Sequence, residues 1–429
     1  MAKKNSNIAA IITMIFLFGM IGFVTNLAAP VGNIWKQQPA IAGSNALGMM
    51  GNMMNFLAYL FMGIPAGKIL AKFGSKKANL LGIALGFFGV FIQFLSGVVS
   101  SFPANFIIYL LGALVSGFAV CTLNTVVNPM LTLLGGGGKK GNQLVQVGGT
   151  CNSLLGTLAP MLVGALVGDL TREGVAISDV NLVLFIAMGI FAVSFVILSL
   201  LKFEDPQGGS TSENAPSPWG YRHFVLGAMA IFVYVGVEVG IPGTLNFYLS
   251  DSSAKGAGMD SSTAAAIAGF VAGTYWFLML IGRTVSSFIS GKVSSRTQLA
   301  TMNGVALLLV ISAILVSGSS AMTNMPVFTG KSFAIAQVPV CALLLVLVGL
   351  CTSVMWGCIF NLAVEGLGAS TAQASGIFMM MVVGGGIIPL IQNWIADSTT
   401  YMTSYWLSSL GICYMLWYAL VGSRPVKKQ

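Results

Sequence analysis

Apolar residues along this chain neither alternate with polar ones nor recur at every third or fourth position. They come in unbroken blocks parted by short stretches rich in Gly, Pro, Ser, Asn and Lys. Twelve such blocks stand near residues 8–34, 46–71, 79–100, 105–134, 143–168, 180–201, 222–250, 263–290, 298–317, 336–364, 371–396 and 402–422. A helix satisfies every backbone N–H and C=O within itself, and roughly 20 apolar residues in that form cross about 30 Å of hydrocarbon. Barrel strands would be shorter and would alternate, so the pattern predicts an all-α membrane protein of twelve transmembrane helices. The first block, within "MAKKNSNIAAIITMIFLFGMIG", is too long for a signal peptide and lacks an A-x-A cleavage site, which predicts an uncleaved first span.

The least apolar connector is "KFEDPQGGSTSENAPSPWGYRH", residues 202–223, close to the chain's midpoint. Its Pro, Gly, Ser and acidic content marks a solvated linker. This predicts an N-terminal six-helix bundle at 1–202, a linker at 203–221 and a C-terminal six-helix bundle at 222–429. The halves echo each other weakly. "GKILAKFGSKK" after span two answers "GKVSSRTQLA" after span eight, and "GTLAP" ending at Pro160 answers "GGGIIP" ending at Pro389. Repeats of this kind, with a site at their interface, are a common plan among transporters.

Composition agrees with this reading. With 56% hydrophobic and 7% charged residues, most of the surface must face lipid. Charge then sets the sides. Fifteen basic residues, Lys68, Lys72, Lys76 and Lys77 among them, fall on one side of the spans, against four on the other (Lys36, Arg172, Lys255 and Lys331), with Arg283 inside a span. The positive-inside rule places both termini in the cytoplasm. The net charge of +9 is thereby explained by topology and anionic lipid, with no nucleic-acid partner. The six cysteines fall within apolar runs without a pairing pattern and read as reduced packing residues.

Enzyme signatures are missing: there is no H-E-x-x-H, G-x-S-x-G or Walker A sequence, and the single histidine, His223, stands at the edge of span seven. A channel would be expected to show charged rings or a filter loop, whereas two similar halves favour alternating access. A transport-derived sensor is the remaining alternative.

The loop "GKILAKFGSKK" resembles the signature between spans two and three of the major facilitator superfamily, with Ala71 in place of the usual acid. Within that superfamily the chain resembles the fucose–galactose–glucose:proton symporter family. The matching stretches are "NPMLTLLG" (128–135), "CNSLLGTLAP" (151–160), "YVGVEVGI" (234–241), "YWFLMLIGR" (275–283), and "IFNLAVEGLG" with "QASGIFMMMVVGGGIIP" (359–389). The resemblance implies a multi-pass carrier in the cytoplasmic (inner) membrane, monomeric and without a cofactor, that binds a monosaccharide between two six-helix halves. It also implies a co-transported cation, H+ or Na+. Two departures bear on coupling. Family members carry an acid late in span one, where this chain has Ala28 and Ala29, and Glu or Gln four residues before the Asn-Pro of span four, where it has Asn124. A proton carrier inside a membrane needs Asp, Glu or His. Neither Ala29 nor Asn124 qualifies, so symport by the family's usual pair is set against an uncoupled uniporter.

Glu238 is the acid deep in a predicted span. A charge there needs pairing or solvation. Two roles fit it: a coupling group that binds H+ or Na+, or a hydrogen-bonded carboxyl holding span seven to its neighbours; the resemblance favours the second. Arg283, roughly 10 Å from the cytoplasmic end of span eight, fits gating or interdomain pairing, with substrate contact as the alternative. Lys72 and Lys76 fit helix capping and bridging of the halves, or simple topological anchoring. Neutral amides and aromatic faces are what a sugar requires. Asn152 leads these candidates because it falls on the family's "FNSLG" asparagine, and Asn124 follows by position. Asn26, Asn361 and Gln373 add further amides, and Tyr234 and Trp276 add rings that stack on a sugar or merely pack.

Overall fold

The computed structural model describes residues 2–41, 43–134, 138–169, 174–201, 217–289, 293–319, 321–328, 332–367 and 370–425. Twelve helices among the described residues are long and apolar enough to cross a membrane: Ile8–Lys36, Met50–Leu70, Lys72–Ser96, Ala104–Asn128, Val147–Val167, Ile177–Leu200, Arg222–Ser250, Ser261–Ser286, Ser295–Ser317, Val340–Val364, Gln373–Ser398 and Tyr401–Gly422, here spans one to twelve. Most of the linker expected at 203–221 lies outside the described residues, which resume at Ser217.

Spans one to six pack chiefly on one another, and so do seven to twelve. The two bundles meet along a seam in which span one faces span seven, span two faces span eleven and span five faces span eight. Small residues set the closeness of that seam. A Cβ at Gly269 of span eight would lie 2.3 Å from the Pro160 carbonyl oxygen, and one at Gly164 of span five would lie 2.5 Å from that of Ala265, so neither position admits a side chain.

Three local features depart from a plain bundle. Span one breaks at Leu27 into Ala2–Asn26 and Ala28–Lys36. A one-turn helix, Asn45–Gly48, precedes span two, which therefore starts later than the 46 expected. Residues expected to open span ten at 336 instead belong to a two-stranded antiparallel hairpin, β1 (Met322–Phe328) and β2 (Phe333–Pro339). The hairpin accounts for the late start: Pro339, lacking an N–H, ends the ladder as the N-cap of the helix that begins at Val340. For brevity, the side bearing the first and last spans' outer ends near residues 8 and 422 is called the terminal face, and the other, with the hairpin, the loop face.

Candidate functional site

The seam carries two polar clusters at different depths. The first occupies its middle and the part nearer the terminal face. Arg283 of span eight crosses to the other bundle, donating from Nη1 to Ser153 Oγ at 3.1 Å and to the Gly149 carbonyl at 3.4 Å. Its Nη2 stands 3.8 Å from Glu238 Oε1 on span seven. The Tyr234 hydroxyl donates to the same carboxylate oxygen at 2.5 Å, one helical turn away, and also lies 3.2 Å from the Thr352 carbonyl. The Thr352 hydroxyl is shared with Tyr275 at 2.9 Å. A buried charge pair stands only when its remaining donors and acceptors are occupied, and here spans five, seven, eight and ten supply those partners.

The first bundle contributes neutral amides on spans one, four and five. Asn152 donates to the Phe18 carbonyl of span one at 2.8 Å, and Asn26 donates to Gly22 O one turn back at 2.8 Å. Asn124 donates to the Tyr59 hydroxyl at 2.7 Å, and the Tyr59 ring stacks on Phe56. Asn26, Asn124, Asn152, Glu238, Arg283 and Trp356 are all half-buried, so this part of the seam keeps accessible polar surface. Tyr234 is wholly enclosed, and its ring meets Trp356 with centroids 6.2 Å apart. Trp276 is also buried, against Tyr275, two helical turns from Arg283 on the same side of span eight.

Other sequence candidates lie elsewhere. Asn361 and Gln373 are exposed near the terminal-face ends of spans ten and eleven, away from the middle cluster. Lys72 is exposed, with its ammonium 5.3 Å from the Phe73 ring. Lys76 donates to the carbonyls of Ser199 and Leu201 at 2.9 and 2.6 Å, filling acceptors left open at the end of span six in its own bundle.

The second cluster closes the loop face. Asp397, at the end of span eleven, accepts from Ser44 Oγ (2.8 Å) and the backbone N–H groups of Asn45 (2.7 Å) and Ala46 (2.9 Å), capping the one-turn helix of the opposite bundle. Lys36, 5% exposed at the end of span one, donates to the Tyr401 hydroxyl of span twelve at 3.1 Å and sits 4.6 Å above the Phe247 ring. That hydroxyl lies 2.9 Å from Asn45 Oδ1 and 3.0 Å from Asp251 Oδ2, sharing its one proton between them. Burial raises the Asp251 carboxyl, but hydrogen bonds from Ser253, the nearby Lys36 charge and the Tyr401 hydroxyl outweigh that and hold it below the ordinary carboxylate value. Slightly deeper, Asn33 of span one bonds to Asn246 of span seven, and Asn52 of span two donates to Gly385 O of span eleven at 2.8 Å.

Sequence reasoning missed Tyr59, Ser153, Thr352 and Trp356 in the middle and Asn33, Asn45, Asp251, Asp397 and Tyr401 at the loop face, while Asn52 and Asn246 there are among the amides it counts as sugar-binding candidates. Lys36 had entered only as one of the sparse cations on its side. A pointer was available: Lys36, Asp251 and Asp397 all stand within one residue of a span end on the charge-poor face.

A model of the Major Facilitator Superfamily matches residues 9–390. The chain belongs to the major facilitator superfamily. It is thus an all-α membrane transporter rather than an enzyme. Among its relatives, a glucose/galactose transporter of Brucella abortus is 28% identical over 99% of this chain and 96% of the relative. The crystal structure of the E. coli fucose:proton symporter aligns with a TM-score of 0.66 at 18% identity, covering 96% of this chain and 98% of that one. A D-xylose-proton symporter aligns with a TM-score of 0.69 at 14% identity, covering 96% and 98%. At such identities the structural matches speak for the fold, which is that of two six-helix bundles joined at a seam.

Proposed function

We propose that the protein is a secondary transporter moving a monosaccharide of the fucose/galactose/glucose class across the cytoplasmic membrane by alternating access, with both termini in the cytoplasm. The observation that carries this reading is the asymmetry of the seam. At the loop face several bonds tie the bundles, those of Lys36 with Tyr401, Tyr401 with Asn45 and Asn33 with Asn246 being buried, whereas toward the terminal face Arg283 crosses between the bundles and the amides of spans one, four and five remain half-buried. That is the arrangement of a carrier closed to the outside with its site toward the cytoplasm. The named sugars of the relatives set the substrate class, and neutral amides with adjacent aromatic rings suit hydroxyl-rich, uncharged ligands.

In this reading Asn152, Asn124 and Asn26 contact the sugar, Trp276 and Tyr234 wall the pocket, and Asn361 and Gln373 stand at its cytoplasmic mouth. Arg283 changes its partners on span five as the bundles rock. Lys72 and Lys76 hold the cytoplasmic ends of the first bundle. The protein works as a monomer in lipid.

For coupling, Glu238 is the candidate, carrying H+ or helping to hold Na+, because the usual acid position in span one is Ala29, packed in the apolar cluster of Met49 and Phe247. Neutralising Glu238 would release Arg283 from its 3.8 Å partner, linking the carboxyl to a side chain that spans both bundles. The same substitution to alanine supports a second reading, an uncoupled uniporter. Counterflow of labelled glucose or galactose in proteoliposomes tests transport, and imposed H+ or Na+ gradients separate the two readings. Sugar binding without counterflow would replace both with a sensor.

A further inference from the structure

The hairpin on the loop face is not used by the transport reading, and its surface has an order of its own. In the antiparallel register Thr323 faces Val338, Met325 faces Ala336 and Val327 faces Ala334. On this side Val327 and Val338 are buried and Met325 and Ala336 pack against the core, so it is the side turned to the protein. The opposite side carries the pairs Asn324 with Gln337, Pro326 with Ile335 and Phe328 with Phe333. It therefore runs from amide-bearing at the base to apolar in the two pairs next to the turn, whose own sequence, Thr329-Gly330-Lys331-Ser332, is polar. Ile335 and Phe333 are 76% and 73% exposed, among the most exposed large apolar side chains in the molecule.

The Phe333 end of this side does not reach out into water. The Phe333 ring packs edge-on against Phe270 of span eight, with centroids 6.0 Å apart. Phe270 lies nine residues beyond Ser261, where the helix begins, or about 14 Å along its axis. That helix, Ser261–Ile289, has 29 residues, and at 1.5 Å per residue it matches a bilayer of about 40–45 Å with its headgroups. Below Phe270, the exposed residues Phe277, Ile281 and Val285 follow at intervals of seven, four and four. They form one stripe of the helix, and in a membrane such a stripe faces lipid. About 30 Å of such a bilayer is hydrocarbon, so the Phe333–Phe270 ring contact continues a lipid-facing surface about 7 Å below the level where headgroups give way to acyl chains.

We propose that this hairpin is a membrane-interface wedge: the apolar side chains next to its turn (Phe328, Phe333, Ile335, Pro326) reach below the headgroup–acyl boundary of the outer leaflet, while the Asn324–Gln337 base stays in the headgroup and water layer. Its partner is the lipid surface itself. A two-stranded ribbon has two open edges, which hydrocarbon does not tolerate but the hydrated interface does, so the ribbon's backbone stays at that boundary and only its side chains reach below it. Burial of about 5–10 Å is the ordinary depth for an amphipathic element held there. Immersion also explains how such large side chains stay exposed on an outer loop without promoting aggregation.

The test uses the full chain in phosphatidylcholine–phosphatidylglycerol liposomes, with the exposed Cys413 replaced (Cys413→Ser) and a nitroxide placed at Ile335→Cys, Asn324→Cys or Gln337→Cys. The expected result is an Ile335 label that collides with dissolved oxygen but is protected from a water-soluble nickel chelate, and base labels with the opposite preference. Should Ile335→Cys fail to fold, Pro326→Cys on the same side of the ribbon replaces it with the same expectation. A tip label as accessible to nickel as the base labels overturns the proposal. So does a tip label shielded from both reagents with dipolar broadening that vanishes on dilution with unlabelled protein, which would make the occupant a second copy of the chain. Neither outcome bears on the transport reading, because no sugar enters the measurement.

Discussion

The two ends of the seam use polar residues differently. At the loop face, Asp397, Tyr401, Lys36 and Asn45 bond across from one bundle to the other. Toward the terminal face, Lys76 bonds to Ser199 and Leu201 within the first bundle, and His223 pairs with the Glu365 carbonyl within the second. The loop-face end ties the bundles through bonds from several elements, while toward the terminal face Arg283 crosses to Ser153 and Gly149 and Lys76 and His223 bond within their own bundles. A rocking machine needs that difference. Bonds within a bundle survive the motion, whereas bonds between bundles select one of two states, and each adds to the energy gap between them.

Four experiments break or sharpen this contrast. The largest effect is expected at Glu238. If its carboxyl couples the cycle, Glu238→Gln abolishes gradient-driven accumulation of labelled hexose and spares exchange; unchanged accumulation removes the carboxyl from the mechanism. Next is Asp397→Ala, which strips three donors of a charged acceptor at the tying end. At about 1.5–3 kcal/mol for a hydrogen bond to a charged group, loss of this cap shifts the closed-to-open ratio at the loop face by at least tenfold and on the order of a hundredfold. Maleimide labelling of a cysteine at Asn33 or Asn246 reads that shift, and the matched control, Lys76→Ala within one bundle, should leave the labelling as it was.

A smaller effect is expected at the middle cluster. Asn152→Ala removes one neutral hydrogen-bonding group, about 1 kcal/mol or roughly fivefold in hexose affinity, measured by binding to detergent-solubilised protein. An unaltered affinity would confine Asn152 to its tie with Phe18 O. The smallest effect is the response of the loop-face closure to pH. Asp251 has a depressed carboxyl pKa, so its stabilisation is complete above the unfolded value of about 3.9. It is lost only as pH falls through the lower folded value. Cysteine accessibility at the loop face should therefore be the same at pH 6.5 and pH 5, and a marked opening between them would show that another group controls the closure.

The spans were legible because hydrocarbon imposes one rule on every residue of a block, and twelve blocks obeying it leave little freedom. Glu238 and Arg283 were legible for the converse reason: a charge within a block breaks the rule and requires a partner, although only the structure paired them with each other. The hairpin escaped notice because "MTNMPVF" and "FAIAQVP" look like the fringe of neighbouring spans and their pairing is a matter of register. The loop-face closure escaped because its members are far apart in sequence. Lys36 and Tyr401 are separated by 365 positions, and Asn45 and Asp397 by 352; nothing local at either end signals the other.

The central claim is that the bundles exchange between a state closed at the loop face, described here, and one open there. The most direct measurement is the electron–electron distance between nitroxides at the exposed positions Gln37 and Ser252, one on each bundle, in liposomes. Two distance populations are predicted, with Asp397→Ala moving weight to the longer and hexose redistributing it. One unchanging short distance in the native chain, in Asp397→Ala and at saturating hexose would contradict the account.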